Sequence, residues 1–277
     1  MDSIWVIQLV FKPSGPLTFR RMPSGSLPIM SYPFMPPTTM SGFLGRLLLV
    51  AEHEDGEWPG YGADWFQKAK PGKVAPGAGF TLTLEKDFRC LGAFPEPGSW
   101  CIHKSRRHGP KNFQHTEFSR VLREDHKESY QLHHWEYLFC DNLTGWVAAR
   151  EREPLDRLKG LLNFGGKAGK EGYLHVSRAG DPQFLEKREG RYQPLGLAPL
   201  PLRPESGVFH TLYGHHWSDD YLWTNGEKGG VIGYFQTGAW WSTGELDGPY
   251  WAMDHGLGFP AIAPDAFLRG DVERFGV

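Results

Sequence analysis

At 277 residues and a formal net charge of −2, the chain can bury about three quarters of its unfolded surface, in one large domain or two small ones. Its 35 Gly and 22 Pro exclude a predominantly helical protein and predict many turns and short strands. Cys90, Cys101 and Cys140 form no C-x-x-C pair and leave an odd thiol in any pairing, which argues against a disulfide scaffold and for a reducing, cytoplasmic setting.

The opening MDSIWVIQLVF has no basic segment and no small-residue cleavage site, and no apolar run approaches 18 residues, so neither export nor a membrane span is expected. Ile4 to Phe11 is apolar on both alternations, as in a central strand covered on both faces. A turn at Lys12–Pro16 follows, and Leu17 to Met22 returns the chain with Arg20 and Arg21 before another turn at Pro23–Gly25. Ser31 to Ala51 reads as a rigid extended arm feeding a buried helix, because Pro33, Pro36 and Pro37 fix φ and bias their predecessors to extended backbone. Thr38 or Thr39 is the expected N-cap, and Met40, Phe43, Leu44, Leu47, Leu48 and Ala51 share one helical face. Gly42 and Gly45 each cost roughly 1 kcal/mol against Ala inside a helix, which predicts a close approach to the backbone there, with Arg46 off the apolar face near that entrance.

Residues 53–79 show no periodicity and read as irregular loop, with a short helix suggested only near Asp64–Ala69. Phe80 to Phe88 alternates and predicts a strand. Arg89 to Ser129 alternates nowhere for long and reads as a polar insertion. Trp135–Phe139 and Trp146–Ala149 predict a strand pair joined at Asp141–Gly145; Pro154 opens a helix over Leu155–Phe164 that Gly165-Gly166 ends, and Tyr173–Ser177 is a further strand. The order β, α, β, insertion, β, α, β predicts an α+β, ferredoxin-like or RRM arrangement over 1–178, with the insertion at about 89–129. From 179 to 277 the chain is turn-rich and aromatic and predicts a smaller β-rich region.

Charge is unevenly spread. Residues 1–50 are net +3, 103–127 net +4 and 179–277 net −6. In 103–127, His103, Lys104, Arg106, Arg107 and Lys111 lead a run of cations and histidines interleaved with Phe113 and Phe118. That pattern suits single-stranded nucleic acid, cations neutralising phosphates while flat groups stack on bases, and equally a solvated surface hairpin. Gly165, Gly166, Lys167, Gly169, Lys170 and Gly172 can present backbone N–H groups and charge to a phosphate, although the spacing is not a P-loop's and a helix C-cap with a turn would read the same way. Arg20, Arg21 and Tyr32 would complete a phosphate pocket opposite the helix start; two solvated arginines and a core tyrosine is the plainer account. The pairs His133-His134 and His215-His216 point to opposite faces if extended, and no metal site, cofactor or serine or cysteine hydrolase motif is expected.

Arg20-Arg21, Ser31-Tyr32-Pro33, Pro36-Pro37-Thr38-Thr39 and Gly42-Phe43-Leu44-Gly45, in that order and spacing, resemble the N-terminal signature of the Cas-five family of CRISPR-associated proteins, in the RAMP superfamily. The resemblance is sharp over roughly the first fifty residues and general beyond them. It implies a ferredoxin-like fold with a thumb-like insertion after the second strand and a glycine-rich loop after the second helix. It implies a non-catalytic subunit of a type I, Cascade-like complex in antiviral defence. Such a subunit binds the 5′ handle of the guide RNA, contacts backbone and large subunits, and meets target DNA only through the complex. Ser31, Thr38, Thr39 and Gly42 enter the RNA-binding set on this ground. One branch of the family cuts precursor RNA without metal, and Tyr32, His103 and Lys104 supply residue types for that chemistry. A reading apart from the family takes the 11 tryptophans as the lining of a carbohydrate or small-ligand groove.

Overall fold

Strand β1 (Ser3–Pro13) runs through the middle of the protein and has both edges paired. The computed structural model describes residues 3–21, 28–52, 87–110, 130–200, 202–222, 228–262 and 269–270. In chain order β1 is followed by β2 (Pro28–Ile29), α1 (Pro37–Glu52), β3 (Arg89–Pro95), β4 (Trp100–Pro110), β5 (Tyr130–Cys140), β6 (Leu143–Ala149), α2 (Glu153–Lys159), β7 (Gly165–Lys167) and β8 (Tyr173–Ala179). Then come β9 (Gln183–Pro194), β10 (Leu197–Pro199), β11 (Gly207–Leu222), β12 (Lys228–Ser242), β13 (Leu246–Ala252), β14 (Leu257–Pro260) and β15 (Arg269–Gly270).

One edge of β1 pairs along its length with β6, from Trp5 opposite Ala149 to Phe11 opposite Leu143. The other edge is shared: β8 takes Leu9–Pro13 and β9 takes Ser3–Val6, both antiparallel. β3 joins the far side of β6, also antiparallel. The order β8-β1-β6-β3, with α1 between β1 and β3 and α2 between β6 and β8, is the βαββαβ arrangement of a ferredoxin-like α+β fold. β9, β13 and β14 extend the same sheet. β10, β12, β11 and β15 form a second sheet, and β2, β5 and β4 a third.

As its two-sided apolar sequence predicts, β1 buries Ile4, Val6, Ile7, Leu9, Val10 and Phe11. On one face lies α1, whose Met40, Phe43, Leu44, Leu47 and Leu48 are buried in the expected stripe, with Phe43 edge-on to Phe11 at 5.9 Å. Gly145 of β6 makes that fit: a Cβ there would come within 2.8 Å of both Met40 Cε and Phe11 Cε2. On the other side, the sheet curls until Phe259 of β14 meets Trp146 of β6 at 5.3 Å.

Several elements differ from the sequence reading. The second ferredoxin strand is Arg89–Pro95, inside the stretch read as insertion; of Phe80–Phe88, residues 80–86 lie outside the described residues and Asp87 is in a turn. A bulge between Cys90 and Ala93, with Gly92 at φ 92°, and burial along nearly the whole strand remove the alternation that marks a strand in sequence. Trp135–Phe139 does not pair with Trp146–Ala149: β5 returns along β4, from Trp100 opposite Cys140 to Pro110 opposite Tyr130. Both segments are largely buried strands across a tight turn, and nothing in their sequence names the partner. α2 stops at Gly160, whose N–H bonds to Arg157 O, and Gly165-Gly166 belong to β7. Leu17–Arg21 does not fold back on β1 but makes single bridges to three other segments. The suggested helix at 64–69 lies outside the described residues.

Candidate nucleic-acid interface

The segment Leu17–Arg21 gathers the residues that the sequence nominates. Leu17 bridges Leu138 of β5, Thr18 bridges Glu171 of the glycine-rich loop, and Arg20 bridges Ser31 in the lead-in to α1. Thr18, fully buried, satisfies every polar atom it has. Its N–H donates to Glu171 O at 2.8 Å, its carbonyl accepts from Lys170 N at 2.8 Å, and its hydroxyl donates to Glu136 O at 3.0 Å while accepting from Trp135 Nε1 at 3.2 Å. Unmade, such bonds would cost about 1–3 kcal/mol for each buried group, so one small side chain fixes the hairpin against the loop.

Ser31 does the same for the α1 lead-in. It is buried; its Oγ accepts from Phe19 N at 3.0 Å and donates to Tyr32 O at 2.9 Å, and its own N–H donates to Glu136 Oε2 at 3.0 Å. The other oxygen of Glu136 lies 3.5 Å from Lys104 Nζ on β4. Thr18, Glu136 and Glu171 do not stand out in the sequence, because a polar residue that holds a site together looks like any other polar residue until its partners are known.

Around this mortar the cations face outward. Arg20, Arg46, Lys104, Arg106, Lys167 and Lys170 are exposed, and Arg20, Lys167 and Lys170 form no ion pair with another described residue. Arg21 is half-buried, its guanidinium 5.8 Å from the centre of the Tyr32 ring. Arg107 lies in β4 opposite His133, and Lys111 lies outside the described residues, as do Phe113 and Phe118.

The composition of the glycine-rich loop follows from packing. Gly169 (φ 69°) lies where a Cβ would sit 2.7 Å from Thr18 O, and Gly172 (φ 112°) where it would sit 2.5 Å from Leu17 Cδ2. Gly165 presses on β8, whereas Gly166 has only Leu47 and Phe43 of α1 nearby, at 3.8 Å and 3.9 Å from a Cβ built there. The helix start is tighter than expected. α1 begins at Pro37, with Met40 N donating to Pro36 O at 2.9 Å, so Thr38 and Thr39 lie half-buried inside the first turn instead of capping it. Met35 and Ala93 exchange both backbone bonds, which clamps the lead-in to β3. Gly42 is half-buried and Gly45 buried.

Tyr32 is 3% exposed, its hydroxyl donates to Thr211 O, and its ring lies against Phe34. His103 and Lys104 are exposed neighbours on β4 and so point to opposite faces. The structure therefore does not bring Tyr32, His103 and Lys104 together. Behind Tyr32 lies His210, 4% exposed, with neither ring nitrogen bonded to another described residue. Burial first, and then the charge of Arg21, push its pKa down to about 4. Among the described residues no three His, Cys, Asp or Glu side chains gather as metal ligands, and no helix is long and apolar enough to cross a membrane. The tryptophans Trp100, Trp135, Trp146, Trp241 and Trp251 pack in the core or against it, which leaves them no groove to line.

No protein-family model and no curated protein matches the sequence. Among solved structures, the chain is similar to a chain of the type III-B Cmr-beta bound to cognate target RNA, at 14% identity over 87% of this chain and 86% of that one, with a TM-score of 0.44. It is similar to the same assembly with AMPPnP at 14% identity over 87% and 86%, TM-score 0.42. It is also similar to a CRISPR protein from Archaeoglobus fulgidus at 12% identity over 91% and 96%, TM-score 0.40.

Proposed function

We propose that this chain is a non-catalytic, RNA-binding subunit of a type I CRISPR interference complex in the cytoplasm, holding the 5′ handle of the guide RNA through Arg20, Arg21, the α1 start, the β4–β5 hairpin and the Gly165–Gly172 loop. The observation that carries the reading is the convergence on Leu17–Arg21. Three segments far apart in sequence, the α1 lead-in, the β5 strand that pairs with the nominated β4, and the glycine-rich loop, are tied to five consecutive residues by hydrogen bonds, and the cations Arg20, Lys104, Arg106, Lys167 and Lys170 around them are exposed. A purely structural junction has no need of exposed cations around it, whereas a single strand's phosphates do. The N-terminal motif resemblance names the RNA and the partners, which are backbone and large subunits with target DNA reached through them.

The test is RNA retention by the co-expressed complex. Arg20→Ala with Arg21→Ala is expected to weaken handle binding and to flatten its salt dependence by about 0.7 in log–log slope for each phosphate that is no longer neutralised. Unchanged retention and slope in the assembled complex would remove these arginines from the interface. The nuclease alternative has no geometric support, since the phenol it needs is buried and bonded while the imidazole and ammonium diverge.

A further inference from the structure

Strand register fixes which side chains share the outer face of the β1–β8–β7 corner. Gly166, opposite Leu174, turns toward Leu47 and Phe43 of α1, so the alternate pairs turn away from the helix. On that outer side Lys12 of β1 and Gly165 of β7 flank His175 of β8, and Lys167 of β7 lies opposite Tyr173 of β8. Arg178 joins them past the bulge in β8, opposite Val10, which stands two residues before Lys12 on β1. The helix-side residues of β8, Leu174 and Val176, are 1% and 0% exposed. Tyr173 is 61% exposed, His175 is half-buried, and Lys12, Lys167 and Arg178 are exposed.

The pairing thus places three cations on this face and no acid. Elsewhere on the surface cations meet carboxylates, as in Arg152 with Asp156, Lys159 with Asp181, and Arg191 with Glu205 and Glu245. Lys12, Lys167 and Arg178 form no ion pair with another described residue. The acids that precede β8 and β6 are directed elsewhere: Glu171 Oε2 lies 3.5 Å from the Tyr137 hydroxyl on β5, and Asp141 acts, after burial, on the Cys140 thiol. Each lysine stands one strand from β8, about 4.8 Å away across the ladder, so the two flat side chains of the central strand lie between cations. The glycine-rich loop joins β7 to β8, which makes the face continuous with the Leu17–Arg21 junction. An acidic protein surface accounts for the cations alone; a strand of alternating phosphates and flat bases accounts for the cations and the rings together.

Resting on the RNA-binding reading, we propose that this sheet face carries the next stretch of a bound single-stranded RNA beyond the glycine-rich loop. Tyr173 stacks on one nucleobase, His175 lies beside it, and Lys12, Lys167 and Arg178 take the flanking phosphates. The stack needs a π-face and no particular base, so the site is sequence-tolerant.

The full-length chain is titrated with a labelled 12-nucleotide oligouridylate at several KCl concentrations, and with the same oligomer carrying 2-aminopurine at successive positions. Tyr173→Ala and Tyr173→Leu are expected to weaken binding about 5- to 150-fold, the weight of one base–aromatic stack, with the salt slope unchanged and the 2-aminopurine quenching lost at one position. Tyr173→Phe keeps the ring and should retain both. Lys12→Ala with Arg178→Ala should instead lower the slope, by about 0.7 for each phosphate released. A thermal melt of each variant checks folding. Without any variant, bound RNA should slow nitration of Tyr173 by tetranitromethane, read by peptide mapping. If wild type binds with a clear salt slope while the Tyr173 variants and the Lys12, Arg178 pair bind as tightly, the face is off the RNA path and the RNA-binding reading stands. An effect of the cation pair alone would overturn the stacking assignment. Loss of complex assembly by these variants with RNA affinity intact would give the face to a protein partner and overturn the proposal. If wild type shows no salt-dependent RNA binding, the broader reading fails with it.

Discussion

His210 offers a sharp test of the packing behind the site, because its two unbonded ring nitrogens make the folded protein reject a proton that the unfolded chain accepts. The folded pKa is about 4, against 6.5 for an unburied histidine. Between these values the unfolded state binds more protons, so stability rises with pH across roughly pH 4 to 6.5 and is insensitive to this residue above that range. With 1.36 kcal/mol per pKa unit, the full penalty below pH 4 is about 3 kcal/mol, and at pH 5 it is already about 2 kcal/mol. His210→Phe keeps a ring against Phe34, 5.0 Å away in the native protein, and removes the titration. Thermal melts of both proteins from pH 4.5 to 7.5 should show the variant losing about 2 kcal/mol less than wild type between pH 7 and pH 5. Any constant offset from repacking cancels in that comparison. Because burial outweighs Arg21 among the causes, Arg21→Ala should recover only the smaller part of the difference. Parallel pH curves for wild type and His210→Phe would refute the reasoning, since they would mean that His210 takes its proton without unfolding.

Gly169→Ala, at φ 69° and 2.7 Å from Thr18 O, should cost about 1–3 kcal/mol in urea unfolding, whereas Gly166→Ala, with no neighbour nearer than 3.8 Å, should stay within about 0.5 kcal/mol; the reverse order would contradict the packing account of the loop. Tyr32→Phe removes the phenol's bond to the carbonyl of half-buried Thr211 and should cost about 0.5–1.5 kcal/mol of stability with RNA retention unchanged; lost retention at full stability would place the phenol on the RNA. Of the three thiols, Cys101 alone should react with maleimide at pH 7–8, since Cys90 is buried and burial, then Asp141, push Cys140 up to about 12; peptide mapping would show equal labelling of Cys140 if the base of the hairpin opens. Repeat RNA incubated with the protein in EDTA should remain intact, and a product ending in a 2′,3′-cyclic phosphate would restore the nuclease reading.

The ferredoxin-like arrangement is legible in the sequence because its central pieces follow simple periods. β1 is apolar on both faces, and α1 places Met40, Phe43, Leu44, Leu47 and Leu48 on one stripe; each pattern maps directly onto burial. β3 is hidden for the opposite reason. A bulged strand buried along nearly its whole length, with a left-handed glycine in it, has no alternation to find. Pairing is the other blind spot, since the apolar run in Trp135–Phe139 marks a strand but not which strand lies alongside it.

The candidate site divides along the same line. Cations and glycines can be read from composition, because charged side chains stay in solvent and turns demand particular residues; accordingly Arg20, Lys104, Arg106, Lys167 and Lys170 are all exposed. What composition cannot show is whether separate charged segments are held near one another. That depends on Thr18, Ser31 and Glu136, whose neutral or compensated polar groups vanish into hydrogen bonds across sequence separations of 105 and 118 residues. On the proposed reading, the charged residues set what kind of ligand the surface favours, and the buried polar ones hold the segments that carry those charges next to one another.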